Sequence, residues 1–373
     1  LDMRAIVILI GVAFALQPIA GHGQSTCPAP APVCAAKASV FPIASFDPQA
    51  SAVLIAPDLL VPNRHVVADN PRAEIFGPDG SRLMADVVPT IYPGDLVLLT
   101  TKGLAAPGLL IGTATLQSEL RTVAADVGRG RIRVYSPGRA QALPAEGKLL
   151  ARLHNTARSQ PGNSGGALVD AKGRLVGIVT SGGEGRSEAI PASDISRLKE
   201  MSGPEHALAS RNIGLAYRQC TEAIDVVGAT RQAMAPKNIQ FIAARCRASN
   251  NRQLLDLAAQ ALGRRGHHAQ SIELFNAALA QDPNALNTRL GLVVTLHLAR
   301  RFKDELPHLH HLIDVMPREI QVLRFAIQAG TWGGDKALAD QGVALLKKHH
   351  PKLAPLAERF MKAPPPSGGP RRP

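Results

Sequence analysis

The chain has 373 residues, of which 45% are hydrophobic and only 3% aromatic, and it carries a formal net charge of +13. That length suits two domains with sizeable cores. So few rings exclude a stacking platform for single-stranded nucleic acid. Lys and Arg are scattered, with no run of five, so the charge reads as a basic soluble surface and no nucleic-acid partner is expected.

In chain order, residues 1–23 are expected to be a secretory signal peptide. Arg4 leads into an apolar run from Ala5 to Leu16, followed by small residues. The natural start is expected at Met3 and cleavage near Gly21 to Gln24. The run is too short to span a bilayer comfortably, and no later segment is apolar and long enough. A periplasmic or secreted protein with no stable membrane span follows.

Export permits disulfides. Four cysteines allow three pairings. Cys27 with Cys34, flanking "PAPAPV", and Cys220 with Cys246, on either side of "MAPKN", are the favoured pairs. The second pair would lie level in an antiparallel helical hairpin. Paired short Cys/His spacings are missing, so no metal and no organic cofactor are expected. The histidine pairs at 267–268, 310–311 and 349–350 read as solvated faces.

Residues 24–39 read as a Pro/Ala-rich linker. From 40 to 198, short apolar runs such as "SAVLIA", "RAEIF", "DLVLLT", "GKLLARL", "GALVD" and "RLVGIVT" are cut by Gly, Pro, Asn and Asp. Their lengths and punctuation predict antiparallel strands of a sandwich or barrel. After Pro191, Ala, Leu, Arg and Gln dominate, and apolar residues recur at helical spacing, as in "LLDLAAQAL" and "SIELFNAALA". Residues 205–361 are therefore predicted all-α, and 362–373 a disordered tail.

The helical half repeats. Pro283, Pro317 and Pro351 fall 34 residues apart, and Gly266, Arg301 and Gly334 sit near a turn inside each unit. A 34-residue period with a terminal proline resembles the tetratricopeptide repeat, with three units from about 252 to 351. Pro307 is expected to kink or delay the second helix of the second unit. Residues 205–249 read as a degenerate repeat or a cap, which such arrays need at their ends.

The segment "GNSGG" (residues 162–166) carries a possible nucleophile, Ser164. Alone it is read equally well as a plain turn, since Gly and Asn are default turn residues. A serine hydroxyl needs an adjacent base, the base needs an orienting group, and the oxyanion needs N–H donors. "LLVPNRHVVAD" places His65 after an apolar run, and "YPGDLVLLT" places Asp95 at the head of another. The chain order His, Asp, Ser is that of chymotrypsin-type triads.

With "PDGSRLMADVV" and "EAIPASDISRL", these segments resemble a trypsin-like serine protease of the bacterial Deg/HtrA type across residues 40–198. The resemblance implies a double β-barrel and three catalytic roles: Ser164 as nucleophile, His65 as base and Asp95 as its orienting carboxylate. Gly162, Asn163 and Ser164 would form the oxyanion hole. Thr180, Ser181 and Gly182 would belong to an edge that pairs with an extended substrate. Arg158 lies where the family builds its pocket wall, and is read either as a cation favouring acidic or small substrate side chains or as a loop residue turned outward. His154 is read as lining the pocket or as sitting at a surface strand end. Arg64 stands where the family has a small residue or Asn, and a cation there is expected to lower the histidine pKa unless it points to solvent. Nothing after residue 200 reads as a PDZ domain, so recognition of chain termini is not carried over.

The expected fold class is thus multidomain, an all-β trypsin-like double barrel followed by an all-α helical-repeat domain. The expected function is a serine endopeptidase acting on protein or peptide substrates, with a protein partner or substrate on the repeats. The alternative is a catalytically silent protease-like scaffold acting as an adaptor. Substrate preference and oligomeric state are not specified by these features.

Overall fold

The computed structural model describes residues 27–104, 106–126, 130–183, 185–229, 235–362 and 364. The expected signal peptide, residues 24–26 and nearly all of the expected tail lie outside them. Two closed β-barrels are followed by a long helical region.

The stretch read as a linker is part of the barrel fold from Cys27 onwards. A short helix α1 (Ala31–Ala35) carries Pro32 in its first turn, and a 3₁₀ turn follows (Ala36–Ser39). Proline suits a first helical turn because its missing N–H is unused there. Val33 and Ala36 are buried in the core between the barrels, and the Cys27–Cys34 disulfide ties the segment. The composition is that of a linker, but Val33 has a core to fill.

The first barrel comprises β1 (Val40–Ala44), β2 (Ala50–Ala56), β3 (Leu59–Val61), β4 (Arg72–Phe76), β5 (Arg82–Val88) and β6 (Leu98–Thr100). The strands close in the order β1-β2-β3-β6-β5-β4, around Phe41, Ile43, Leu54, Leu60, Ile75 and Leu99. Between β3 and β4 lies a single-turn helix, α2 (Arg64–Val67).

The second barrel comprises β7 (Glu119–Asp126), β8 (Arg131–Val134), β9 (Gly138–Ala142), β10 (Leu153–Asn155), β11 (Ala167–Asp170), β12 (Leu175–Gly183) and β13 (Arg186–Pro191). Pairing of β11 with β7 closes the ring β7-β11-β12-β13-β10-β9, and β8 extends from β7. The expected strand "GKLLARL" contributes only Leu153. Upstream of it Gly147 takes a left-handed φ of 70° and Ala151 N donates to Lys148 O, so the chain turns there. Val53, Val61, Leu96, Val123, Val169 and Ile178 fill the seam between the barrels, covered by Ile195 and Leu198 of α3 (Asp194–Glu200).

The helical region holds α4 (Ala207–Ala229), α5 (Pro236–Ser249), α6 (Arg252–Arg264), α7 (His268–Gln281), α8 (Leu286–Leu298), α9 (Phe302–Val315), α10 (Ile320–Gly333), α11 (Lys336–His349) and α12 (Ala354–Lys362). The starts of α6, α8 and α10 are spaced by the same 34 residues as those of α7, α9 and α11. Short turns make consecutive helices hairpin partners. α4 also packs on α6, α5 on α7, α6 on α8 and α8 on α10. Helix α9 runs through Pro307 rather than starting after it. The Cys220–Cys246 disulfide joins α4 to α5.

This region docks on the barrels. Helix α4 approaches so closely at Gly214 that a Cβ there would lie 2.1 Å from Ala68 O. Nearby, Arg218 Nε donates to Asp69 Oδ1 at 2.5 Å, and its guanidinium sits 4.4 Å from the centre of the Phe46 ring. Further along, Arg186 Nε donates to Asn287 Oδ1 at 2.8 Å.

Candidate active site

Asp95 and the α2 turn are built around each other. Asn63 Nδ2 and Arg64 N donate to the Asp95 carbonyl at 3.0 and 3.2 Å. His65 N donates to Asp95 Oδ1 at 2.9 Å, and His65 Nδ1 lies 2.7 Å from Asp95 Oδ2. The carboxylate thereby fixes both the backbone and the ring of His65. Burial disfavours the His65 cation, but the charge and hydrogen bond of Asp95, helped by Asp47, outweigh it and raise the imidazole above its ordinary value. Burial also pushes Asp95 up, and the same pairing outweighs that and holds it below the usual carboxylate range.

Arg64 does not lower His65 as expected, although it is buried. Its guanidinium turns away, donating to Thr90 O at 3.1 Å and to Ser210 O at 3.3 Å. Burial lowers its own pKa, against the pull of Tyr217 and Asp95. The cation that does oppose the charged His65 is Arg152.

Ser164 sits on a turn held from behind. Asn163 is buried; its Nδ2 donates to Ala125 O at 2.9 Å and Tyr135 Oη at 3.0 Å, and its Oδ1 accepts from Gln160 N at 2.9 Å. Gly162 has φ 87°. The N–H groups of Gly162 and Ser164 donate to no described residue, whereas Asn163 N is used within the turn by Gln160 O. Two free amides beside a serine are what an oxyanion site requires. At Gly165, φ is 81° and a Cβ would lie 1.9 Å from Ser51 O. In return Ser51 N donates to Ser164 O at 2.8 Å, tying the turn to the first barrel.

Ser164 Oγ donates to Thr180 O at 3.2 Å. Among the described residues no hydrogen bond joins it to His65. His65 and Ser164 nonetheless open onto one cavity of about 1130 Å³, which Thr180, Ser181 and Gly182 also line. Beyond Val179 the β12 edge opposite β13 has no ladder partner among the described residues. Thr180 Oγ1 lies 3.3 Å from both Asp95 Oδ2 and Gln253 Oε1, so α6 reaches the candidate triad through one hydroxyl.

Beneath Ser181 lies a buried charge network shared by the barrel and the helices. Arg152 donates to Glu188 Oε2 at 3.2 Å and to Ser181 Oγ at 3.3 Å, and Ser181 donates to Glu188 at 2.8 Å. Arg252 of α6 also pairs with Glu188, and reaches Asp256 at 2.9 Å and Thr288 at 2.8 Å. Burial and the Arg152 charge lower Arg252 to about 10, against Asp256 and Asp282. His154 is not at the surface: it is buried, with Nε2 at 2.8 Å from Asp282 Oδ2. Burial pushes Asp282 up, and the His154 bond and the nearby arginines outweigh it and hold it low.

The structure therefore brings together His65, Asp95, Ser164, Gly162, Thr180, Ser181 and Gly182. Asn163 acts from behind through its side chain. Arg158 is exposed and stands outside the cavity lining, its N–H bonded to Ser136 O at 3.2 Å. The four cysteines form the two favoured disulfides. Among the described residues no cluster suits a metal ion and no helix could cross a membrane. Sequence reading missed Arg152, Glu188, Arg252 and Gln253. A charged residue inside an apolar run, as in "LLARL" and "SEAIP", was the available signal for the first two.

Residues 50–178 match the family model of the trypsin-like peptidase domain. An uncharacterized protein of Sinorhizobium fredii (strain NBRC 101917 / NGR234), y4bJ, is 31% identical over 130 residues, 33% of this chain and 20% of that one. The chain thus spans about a fifth of the length of that curated relative. Among solved structures, the Rv3671c protease of M. tuberculosis in its inactive form is 22% identical, with a TM-score of 0.41 over 50% of this chain and 99% of that one. The HtrA-type protease AlgW with tripeptide is 26% identical, with a TM-score of 0.41 over 45% of this chain and 61% of that one. The serine endoprotease from Yersinia pestis is 24% identical, with a TM-score of 0.39 over 45% and 64%.

Proposed function

We propose that the protein is an exported serine endopeptidase. The observation that carries this reading is the His65–Asp95 pair at 2.7 Å, opening onto the same cavity as Ser164. Ser164 Oγ attacks the scissile carbonyl carbon and its proton passes to His65 Nε2. The Gly162 and Ser164 amides hold the oxyanion. On collapse the C–N bond breaks and His65 returns the proton to the leaving amine. Water, deprotonated by His65, then hydrolyses the acyl ester and Ser164 regains its proton. A substrate strand added along Thr180–Gly182 takes the Thr180 carbonyl as acceptor, and so displaces Ser164 Oγ toward His65.

The two disulfides support an extracytoplasmic site of action, in keeping with a signal peptide over residues 1–23. The regular 34-residue spacing of helix starts supports a tetratricopeptide-like array for residues 252–351, whose inner face binds a partner or substrate.

A serine-reactive fluorophosphonate probe tests the chemistry. It should label the mature protein, and Ser164→Ala should abolish labelling. A protein that no condition renders reactive would be the silent scaffold. The bond from Ser164 Oγ to Thr180 O favours that second reading, because it leaves the hydroxyl unpaired with its base.

A further inference from the structure

The active-site cavity has two walls. One is the barrel wall with His65, Ser164 and Thr180–Gly182; the other is made by α6 and α8. Leu290, Val294 and Leu298 follow at i, i+4 and i+8, one face of α8, and all three line the cavity with Leu254 and Leu257 of α6. Leu286 continues the same row into the helical core, where Leu290 is also buried, and on the other side of α8 Val293 and Leu296 are buried in the helical cores. Packing is thus satisfied from behind. Yet Leu257 is 42% exposed and Leu298 is 56% exposed. Apolar side chains left open in a concave site mark a binding surface.

The charges around this cavity have both signs, Asp47, Asp225 and Arg264 among them. They favour neither an acidic nor a basic ligand, which leaves apolar contact to decide. The size of the cavity suits several side chains of an extended segment. A strand added to the open Thr180–Gly182 edge turns alternate side chains away from the barrel, toward α6 and α8.

We propose that the helical region builds an apolar subsite of the cleft, formed by Leu254, Leu257, Leu290, Val294 and Leu298, for bulky apolar side chains of an unfolded peptide substrate. The proposal rests on the serine-endopeptidase reading for the word substrate, but the subsite can be tested without turnover. Full-length mature Ser164→Ala protein is titrated with fluorescent decapeptides rich in Leu and Phe, and with counterparts carrying Ser at those positions. The Leu/Phe peptides should bind at least about tenfold more tightly. Adding Leu257→Asp and Leu298→Asp, both at exposed positions, should erase that ratio while circular dichroism stays unchanged. Equal affinity for the two peptide sets, or a ratio unchanged by the two substitutions, overturns the subsite. Absence of labelling in the parent strikes the endopeptidase reading, while the binding ratio still judges the subsite.

Discussion

Arg64 and Ser210 meet across 146 residues of chain, the arginine Nη1 donating to the serine carbonyl at 3.3 Å. The residue before the candidate base is thereby fastened to the start of the helical region. Replacing Arg64 by Ala removes buried, charge-assisted bonds to Ser210 and Thr90 and leaves a void where the buried side chain lies. The expected cost is about 2–4 kcal/mol in denaturant unfolding, with probe reactivity reduced. Lys should rescue poorly, because an ammonium cannot span two acceptors as a guanidinium fork does. Unchanged stability and reactivity would show that the docking contact is incidental.

The His65–Asp95 pair sets a pH limb. His65 must be neutral to take a proton, and its pKa is raised in the fold. The acid limb of kcat/KM should therefore have its midpoint above the ordinary imidazole value of about 6.5. Asp95→Asn removes the attraction, so the limb should move downward while kcat falls by about 10⁴. By linkage, the raised His65 value stabilises the fold at pH below about 6.5, and that contribution fades as pH rises through the folded value. A pH–rate profile of both proteins checks the sign.

Gly165 has no room for a methyl group. Its φ of 81° and the 1.9 Å approach to Ser51 O both oppose a Cβ, and Ser51 is backbone-bonded to Ser164. Gly165→Ala should cost more than about 2 kcal/mol and lower probe reactivity. Gly80→Ala is the control: φ is 84° but no atom lies within 4 Å, so it should cost only about 1 kcal/mol. Calorimetric melting of both variants separates strain from collision.

The Cys220–Cys246 disulfide closes a loop of separation 26 within the first helical hairpin. In the chain-entropy account its loss costs about 3.5 kcal/mol. Cys220→Ser with Cys246→Ser should melt the helical region first, seen as protease sensitivity in α4 and α5 before the barrels open. Simultaneous loss of both halves would mean that docking makes them one cooperative unit.

Much of this protein follows from local pattern. The order of His65, Asp95 and Ser164, the turn glycines, the two cysteine pairs and the 34-residue period are visible because each is a spacing or a composition, read along the chain. The strand "GKLLARL" misled because apolar content alone does not distinguish a strand from a turn, and Leu149 is left exposed there. Residues 24–39 read as a linker by composition, but Pro and Ala content says nothing of whether a single valine, Val33, will find a core.

The sequence by itself determined the chain order of His65, Asp95 and Ser164 and that barrels precede helices. Only the tertiary structure decided that the helices roof the cavity, that Arg64 turns away from His65, and that Glu188 is shared by Arg152 and Arg252. Those are contacts between residues tens to hundreds of positions apart. Periodicity reports the face on which a residue lies, and burial of that face against another element is settled only when distant segments pack.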